Sequence, residues 1–231
     1  MDSVHMHAFM TRRSLALLPV AATPRPARST YRHGDLRRAL LEAGIALARD
    51  GGPDAVVLRE ATRRAGVVPN AAYRHFAGRP ELLAAVRAAA LAAVAEAMEA
   101  EIAGVPAALP PLAHARAMVR AVGTAYMRFA LAETGLFRTA FAPAGPVEGD
   151  ADPDKAGRSG LNPFQLLGAA LDRLVEAGAM PPERRPGAEY LAWSAVHGMA
   201  LLVIEGPLRG IDRAAAQALG QRLLDMVERG L

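Results

Sequence analysis

From Asp35 to the C-terminus no stretch of useful length alternates apolar and polar residues, whereas apolar side chains keep recurring three and four apart. A period of two would bury one face of a strand; a period of 3.6 buries one stripe of a helix. The chain is thereby confined to an all-α fold of about nine helices. Residues 35–52, DLRRALLEAGIALARDGG, show the pattern most plainly. Leu36, Leu40, Ala43 and Leu47 form one apolar stripe, with Arg37, Arg38, Glu42 and Arg49 off it. Asp35 is the expected N-cap, and Gly51-Gly52 the stop. Further helices are predicted over 58–66, 69–76, about 80–103, 112–132, 161–178, 190–206 and 211–230. Segments rich in Pro and Gly connect them at 104–111, 142–160 and 180–187.

Several function classes fall away on composition. The chain has no cysteine, which removes disulfides, thiolate metal sites and cysteine nucleophiles together. The longest strongly apolar run, 82–98, carries Arg87 and Glu96 and does not read as a membrane span. No Ser-His-Asp order, metal-binding spacing or Gly-rich phosphate loop is present, so a helical enzyme is the weakest reading. No cofactor and no metal is expected. The His5/His7 pair has no third ligand near it in the sequence.

Charge is unevenly placed. Residues 1–31 carry net +3, residues 32–87 net +4 and residues 88–231 net −3. A basic first third on a mildly acidic remainder suggests a head for a polyanion on a body with another task. Residues 1–30 show no periodicity and are dense in Pro, Ala and Arg, which reads as a flexible basic arm. Arg25, Arg28 and Arg32, which precede the first helix, could track phosphates or enter a minor groove. Thr11-Arg12-Arg13-Ser14 has the look of a twin-arginine export signal, but the apolar run after it is short and broken by Pro19. A cytoplasmic location is expected instead.

The segment 58–76, LREATRRAGVVPNAAYRHF, carries the functional argument. It reads as a short helix, a turn through Gly66 and a second short helix opened by Pro69. Two short helices joined by a tight glycine turn are the form of a helix-turn-helix, which docks its second helix in the major groove. Arg59, Arg63, Arg64 and Arg74 make the pair basic, and Tyr73 and His75 can donate to phosphate oxygens. For Arg63 and Arg64 a solvated helix face is an equally good reading.

Residues 32–98 resemble the DNA-binding domain of TetR-family (tetracycline-repressor-like) transcriptional regulators. The resemblance rests on Ala43-Gly44, on Asp50-Gly51-Gly52, and above all on Tyr73-Arg74-His75-Phe76 followed by Arg79 and Leu82-Leu83. It implies that Tyr73 and His75 bind the DNA backbone and that Arg79, in place of a lysine, holds a phosphate. It further implies that Asn70 and Ala71 face base edges, that Arg59 touches a phosphate or a base edge, and that Phe76, Leu58 and Leu82 are core. Val57 and Val68 stand where hydroxyl caps are usual, each a loss of about 0.5–2 kcal/mol. Asn70 could serve in part as a substitute cap.

Beyond residue 105 the resemblance is carried by Trp193, His197 and Gly198, similar to the Trp-His-Gly signature of one group of TetR-family C-terminal domains. Trp193 and His197 share a helical face. They could border a ligand cavity, or His197 could satisfy a buried partner while Gly198 admits a neighbouring helix. The domain plan implied is an arm at 1–30, a helix-turn-helix domain at 31–80, a connecting helix at about 80–103, and a ligand-binding and dimerisation domain at 104–231. Two copies would pair through 188–206 and 212–229 and present two recognition helices to a palindromic double-stranded operator. A small hydrophobic effector would release the DNA, making the protein a repressor. The candidate cavity lining is Met118, Val122, Tyr126, Phe129, Phe137, Phe141, Phe164, Leu167, Trp193 and Met199, walled by the helices at 112–132, 161–178 and 190–206. Residues 190–204 bear no charged side chain, which implies burial on all sides. The principal rival is a helical protein-interaction module without sequence-specific DNA binding.

Overall fold

The computed structural model describes residues 33–143 and 152–231. The arm, with Arg25 and Arg28, and Arg32 after it lie outside the described residues. In chain order the helices are α1 (His33–Gly51), α2 (Leu58–Arg64), α3 (Pro69–Ala72), α4 (Arg79–Ala103), α5 (Pro111–Ala132), α6 (Thr134–Ala140), α7 (Pro163–Glu176), α8 (Ala188–Ile204) and α9 (Arg213–Gly230). Short 3-10 turns occupy Pro53–Ala55, Pro153–Lys155 and Pro182–Arg184. Among the described residues all regular structure is helical, so the fold is all-α as the periodicity requires.

Most expected helices are found within a few residues of their expected bounds, and the exceptions have physical reasons. α1 begins at His33, which puts Asp35 inside the first turn rather than at the cap. α3 is one turn, not the eight residues expected, because hydrogen bonds from His75 and Phe76 both converge on the Ala72 carbonyl and tighten the chain. α6 had no counterpart in the sequence reading. Its seven residues follow α5 at once, too few for a periodic signal.

Two helix starts are well capped. The Asn162 side chain accepts from the Gln165 amide while Gln165 reaches back to the Asn162 amide, a complete capping box at α7. Asp212 accepts from the Ala215 amide at α9. Val57 and Val68 make no side-chain cap at α2 and α3, as their aliphatic side chains dictate.

The α1 stripe buries as expected, with Leu40, Ala43 and Leu47 in the core and Leu36 half-buried. It packs on the first turns of α4. A Cβ at Gly44 would come within 2.7 Å of Val86 Cγ2, so glycine sets how closely α1 and α4 approach. α4 then runs on into the body, burying Val94, Ala95 and Met98. α6 packs in the other direction, from body to head: a Cβ at Gly135 would overlap the carbonyl oxygens of Ala48 and Arg49 on α1. Arg49 Nε donates to Glu133 Oε2 at 2.7 Å beside that contact.

α8 corrects one expectation. Only Ala188, Ala192, Val196 and Ala200 are buried, one side of the helix, while Leu191 is 69% exposed and Leu202 43%. Within one chain, an uncharged helix is not thereby buried on all sides. Among the described residues nothing lies within 4 Å of the position of a Gly198 Cβ, so none of the described helices approaches there.

Candidate nucleic-acid interface and internal cavity

α2 ends at Arg64, and Gly66 follows with φ +67°, in the left-handed region that glycine enters without penalty. The Gly66 amide donates to the Arg63 carbonyl and the Val67 amide to the Thr62 carbonyl. These two bonds are a Schellman motif, which reverses the chain sharply and delivers it into α3. Buried Thr62 turns its hydroxyl back to the Arg59 carbonyl at 2.6 Å. Of the apolar side chains of the unit, Leu58, Ala61, Ala72 and Phe76 close the core beneath. Phe76 is fully buried from solvent, yet the Arg37 guanidinium stacks 4.6 Å from its ring centroid. That contact from α1 has no signal in the spacing of the sequence.

The outer face of α2 and α3 is polar and cationic. Tyr73 is 60% exposed, and Arg59, Asn70 and Arg74 are exposed with no side-chain partner among the described residues. Ala71 and His75 are half-buried beside them. Asn70 caps neither helix, which leaves its amide open. The other arginines are occupied: Arg63 is bound to Glu60 by both Nε and Nη2, and Arg64 donates to Asp50 at 2.9 Å. Of the two readings of Arg63 and Arg64, these ion pairs favour the solvated face. Arg79 is also engaged, donating Nε to the Val56 carbonyl and Nη2 to the Pro53 carbonyl, both at 3.0 Å. It pins the start of α4 to the turn before α2. Its Nη1 makes neither of these two bonds.

The body encloses a cavity of about 540 Å³. Tyr126, Phe164, Leu167, Trp193 and His197 line it, along with Val122 and Phe141. Phe129 does not; it packs half-buried against the core from the same helix. Phe137 is wholly in the core, and Met118 and Met199 pack on it outside the lining. Sequence reasoning missed α4, which supplies Arg87, Leu91 and Met98, and α9, which supplies Leu224 and Val227. It also missed Lys155. These residues come from distant parts of the chain, and periodicity marks only that they face inward.

Trp193 and His197 meet on Tyr126. The indole Nε1–H donates to the Tyr126 hydroxyl at 2.9 Å, and that hydroxyl lies 2.7 Å from His197 Nδ1. An indole can only donate, so the Tyr126 hydroxyl accepts from Trp193, and the direction of its bond with His197 Nδ1 follows the imidazole tautomer. Burial holds the imidazole pKa below its ordinary value and so favours the neutral ring. Burial also pushes the Tyr126 phenol far up, so it stays protonated. Phe141 stacks tilted against Trp193 and meets His197 edge-on with centroids 5.2 Å apart. The Trp-His pair borders the cavity and His197 meets a buried partner, while the part of the second reading that had Gly198 admit a neighbouring helix is not met among the described residues.

Comparison with known proteins bears on both regions. Residues 40–86 match the family model described as bacterial regulatory proteins, tetR family. Residues 119–227 match the model described as tetracyclin repressor-like, C-terminal domain. Among solved structures, a protein of unknown function from Rhodococcus sp. RHA1 is 28% identical, with a TM-score of 0.69 over 88% of this chain and 99% of that one. The TetR-family transcriptional regulator PfmR from Thermus thermophilus is 20% identical, with a TM-score of 0.51 over 83% of this chain and 98% of that one, a likeness of fold alone. No curated protein matches.

Proposed function

Because the chain belongs to the TetR family and is a DNA-binding transcriptional regulator, we propose that it is a homodimeric, cytoplasmic repressor, released from a palindromic operator by a small hydrophobic effector. On this reading it binds ligands and does no chemistry on them. Among the described residues no helix is long and apolar enough to cross a membrane.

The observation that carries the proposal is the physical link between cavity and head. Arg87, in the cavity wall, donates Nε to the Ala140 carbonyl at the end of α6. Phe141, the next residue, touches the aromatic cluster around Trp193 and His197. The other end of α6 is pressed on α1 at Gly135. An occupant that shifts Phe141 must move α6, and α6 has no slack against the carbonyls of α1. Effector and DNA then favour different arrangements of one packed unit, and each lowers the affinity of the other by the same factor.

The dimer is supported by the outer side of α8 and α9. Leu191 and Leu202 are large apolar groups on α8, whose residues 190–204 carry no charge, and on α9 Met226, at 59% exposure, stands between the exposed Arg222 and Arg229. A second copy would cover them and the open position at Gly198. The roles of Tyr73, His75, Asn70, Ala71 and Arg59 in contacting DNA, and of Arg79 through its remaining donors, follow from their place on the open face. Arg32, ahead of α1, would add a contact.

Footprinting on the DNA flanking the gene tests the proposal. Two protected half-sites about 34–36 Å apart, related by a twofold axis, are expected. Protection without symmetry, or uniform coating of the DNA, would exclude an operator-binding dimer.

A further inference from the structure

Two valines stand side by side in the turn before α3, and the fold uses them differently. Val67 packs half-buried on the core, and its amide closes the turn on the Thr62 carbonyl. Val68 is left out of the core and exposed, on a unit whose outer face is polar and cationic. Its backbone is already that of a helix cap: φ is −74° and ψ 141°, and its carbonyl accepts from the Ala71 amide at 3.0 Å. Only a side-chain oxygen is missing. Valine here forgoes a cap that serine would supply and shows an apolar, β-branched side chain to solvent instead.

The chemistry of the segment narrows what that side chain can meet. Residues 68–72, VPNAA, hold no cation and one hydrogen-bonding side chain, Asn70. In the major groove Arg and Lys pair with guanine, whereas a carboxamide pairs with adenine N6 and N7. The apolar group among the base edges of that groove is the 5-methyl of thymine. Val68 and the exposed Asn70 are two residues apart, a span of at most about 7 Å, or about two base-pair steps, so both can address one short A·T stretch. Val57, the valine at the start of α2, is less exposed than Val68, and the first helix of such a unit crosses the phosphate backbone rather than entering the groove.

Resting on the operator reading above, we infer that Val68 is a specificity residue: its methyl groups contact the 5-methyl of one thymine in each half-site, beside an adenine taken by Asn70. The contact removes apolar surface of protein and base from water together. Cytosine, which bears a hydrogen in place of the methyl, does not reproduce it. A serine at the same position would turn its oxygen back on its own helix and carry no sequence information.

The test uses the full chain and the duplex protected in footprinting. Thymines of each half-site are replaced one at a time by deoxyuridine, which loses the 5-methyl and keeps Watson–Crick pairing. Affinity is read at matched salt by the fluorescence anisotropy of labelled DNA. One thymine in each half-site should stand out, with a loss of about fourfold for each methyl removed. In Val68→Ser the ratio of thymine to deoxyuridine affinity at that position should fall to about one. That variant gains a cap, so the ratio does not fall through unfolding. A ratio unchanged from wild type in Val68→Ser would mean that another group, or the shape of the duplex, reads the methyl, and would overturn the inference. If no thymine matters, it is overturned while the operator reading stands. If no half-site is protected at all, the operator reading falls and takes this one with it.

Discussion

α4 begins in one region and ends in the other, and the two use their polar residues in opposite ways. In the head, the groups with functional potential point outward and are left without side-chain partners among the described residues: Arg59, Asn70, Tyr73 and Arg74. The core beneath them is small and apolar, closed by Phe76 and Leu82. In the body the polar groups point inward and are tied to each other, Trp193 to Tyr126 and Tyr126 to His197, around a space. A surface that meets a polyanion gains nothing from pairing its donors in advance. A cavity that must stay stable while empty has to satisfy most of its own, because an unpaired buried polar group costs free energy.

The same contrast decides what could be read from the sequence. The head is built by one contiguous segment, so Gly66, Pro69 and the Tyr73–Phe76 block announce it locally. The cavity is assembled from α4, α5, α7, α8 and α9, with the segments after α6 and before α7 added. Tyr126, Phe164, Leu167, Trp193 and His197 were legible as apolar or aromatic positions on inward faces, but Phe129 on the same helix as Tyr126 faces elsewhere. Arg87 was legible only as the charge that breaks an apolar run, and Lys155 sits in a segment without periodicity. α6, the piece joining the two regions, left no trace because seven residues are too short to show a stripe. For Arg79 the likeness to a family implied a phosphate contact, and nothing in the spacing revealed its two bonds to the carbonyls of Pro53 and Val56.

The contrast is most sharply broken at the joint. Gly135→Ala puts a methyl group into the Ala48 and Arg49 carbonyls and should destabilise the protein by about 1–3 kcal/mol, read by urea unfolding. Operator affinity should fall with it. An unchanged midpoint would mean that α6 and α1 are not in firm contact, and the link between cavity and head would be lost.

In the body, Tyr126→Phe strands the indole N–H of Trp193 and the Nδ1 of His197. A loss of about 1–3 kcal/mol is expected, with a shift in Trp193 emission. DNA binding should be affected far less. Stability within about 0.5 kcal/mol of wild type would show that the inward pairing matters no more than a surface bond.

In the head, Val68→Ser restores a cap at the start of α3. Val68 is 69% exposed and gives up little burial, so a gain of about 0.5–2 kcal/mol is expected from thermal unfolding. A loss of stability would mean that the exposed valine has a packing role in the chain.

The smallest effect is with pH. His197 has its pKa lowered by burial, so the unfolded chain binds its proton more readily than the folded one. Its contribution is therefore present above the ordinary value of 6.5 and is lost as pH falls through the folded pKa. The fall in melting temperature between neutral and mildly acid pH should be smaller in His197→Gln than in wild type. Equal falls would place the acid sensitivity elsewhere.

The central claim, that the open outer face of α2 and α3 is the DNA surface, is tested most directly by Tyr73→Ala. Tyr73 is exposed and outside the core, so the variant should unfold within about 0.5 kcal/mol of wild type. Its affinity should be measured at matched salt for the footprinted site and for unrelated duplex. The account predicts a clear loss on both, since a phosphate contact carries no sequence information. Wild-type affinity on both would contradict it.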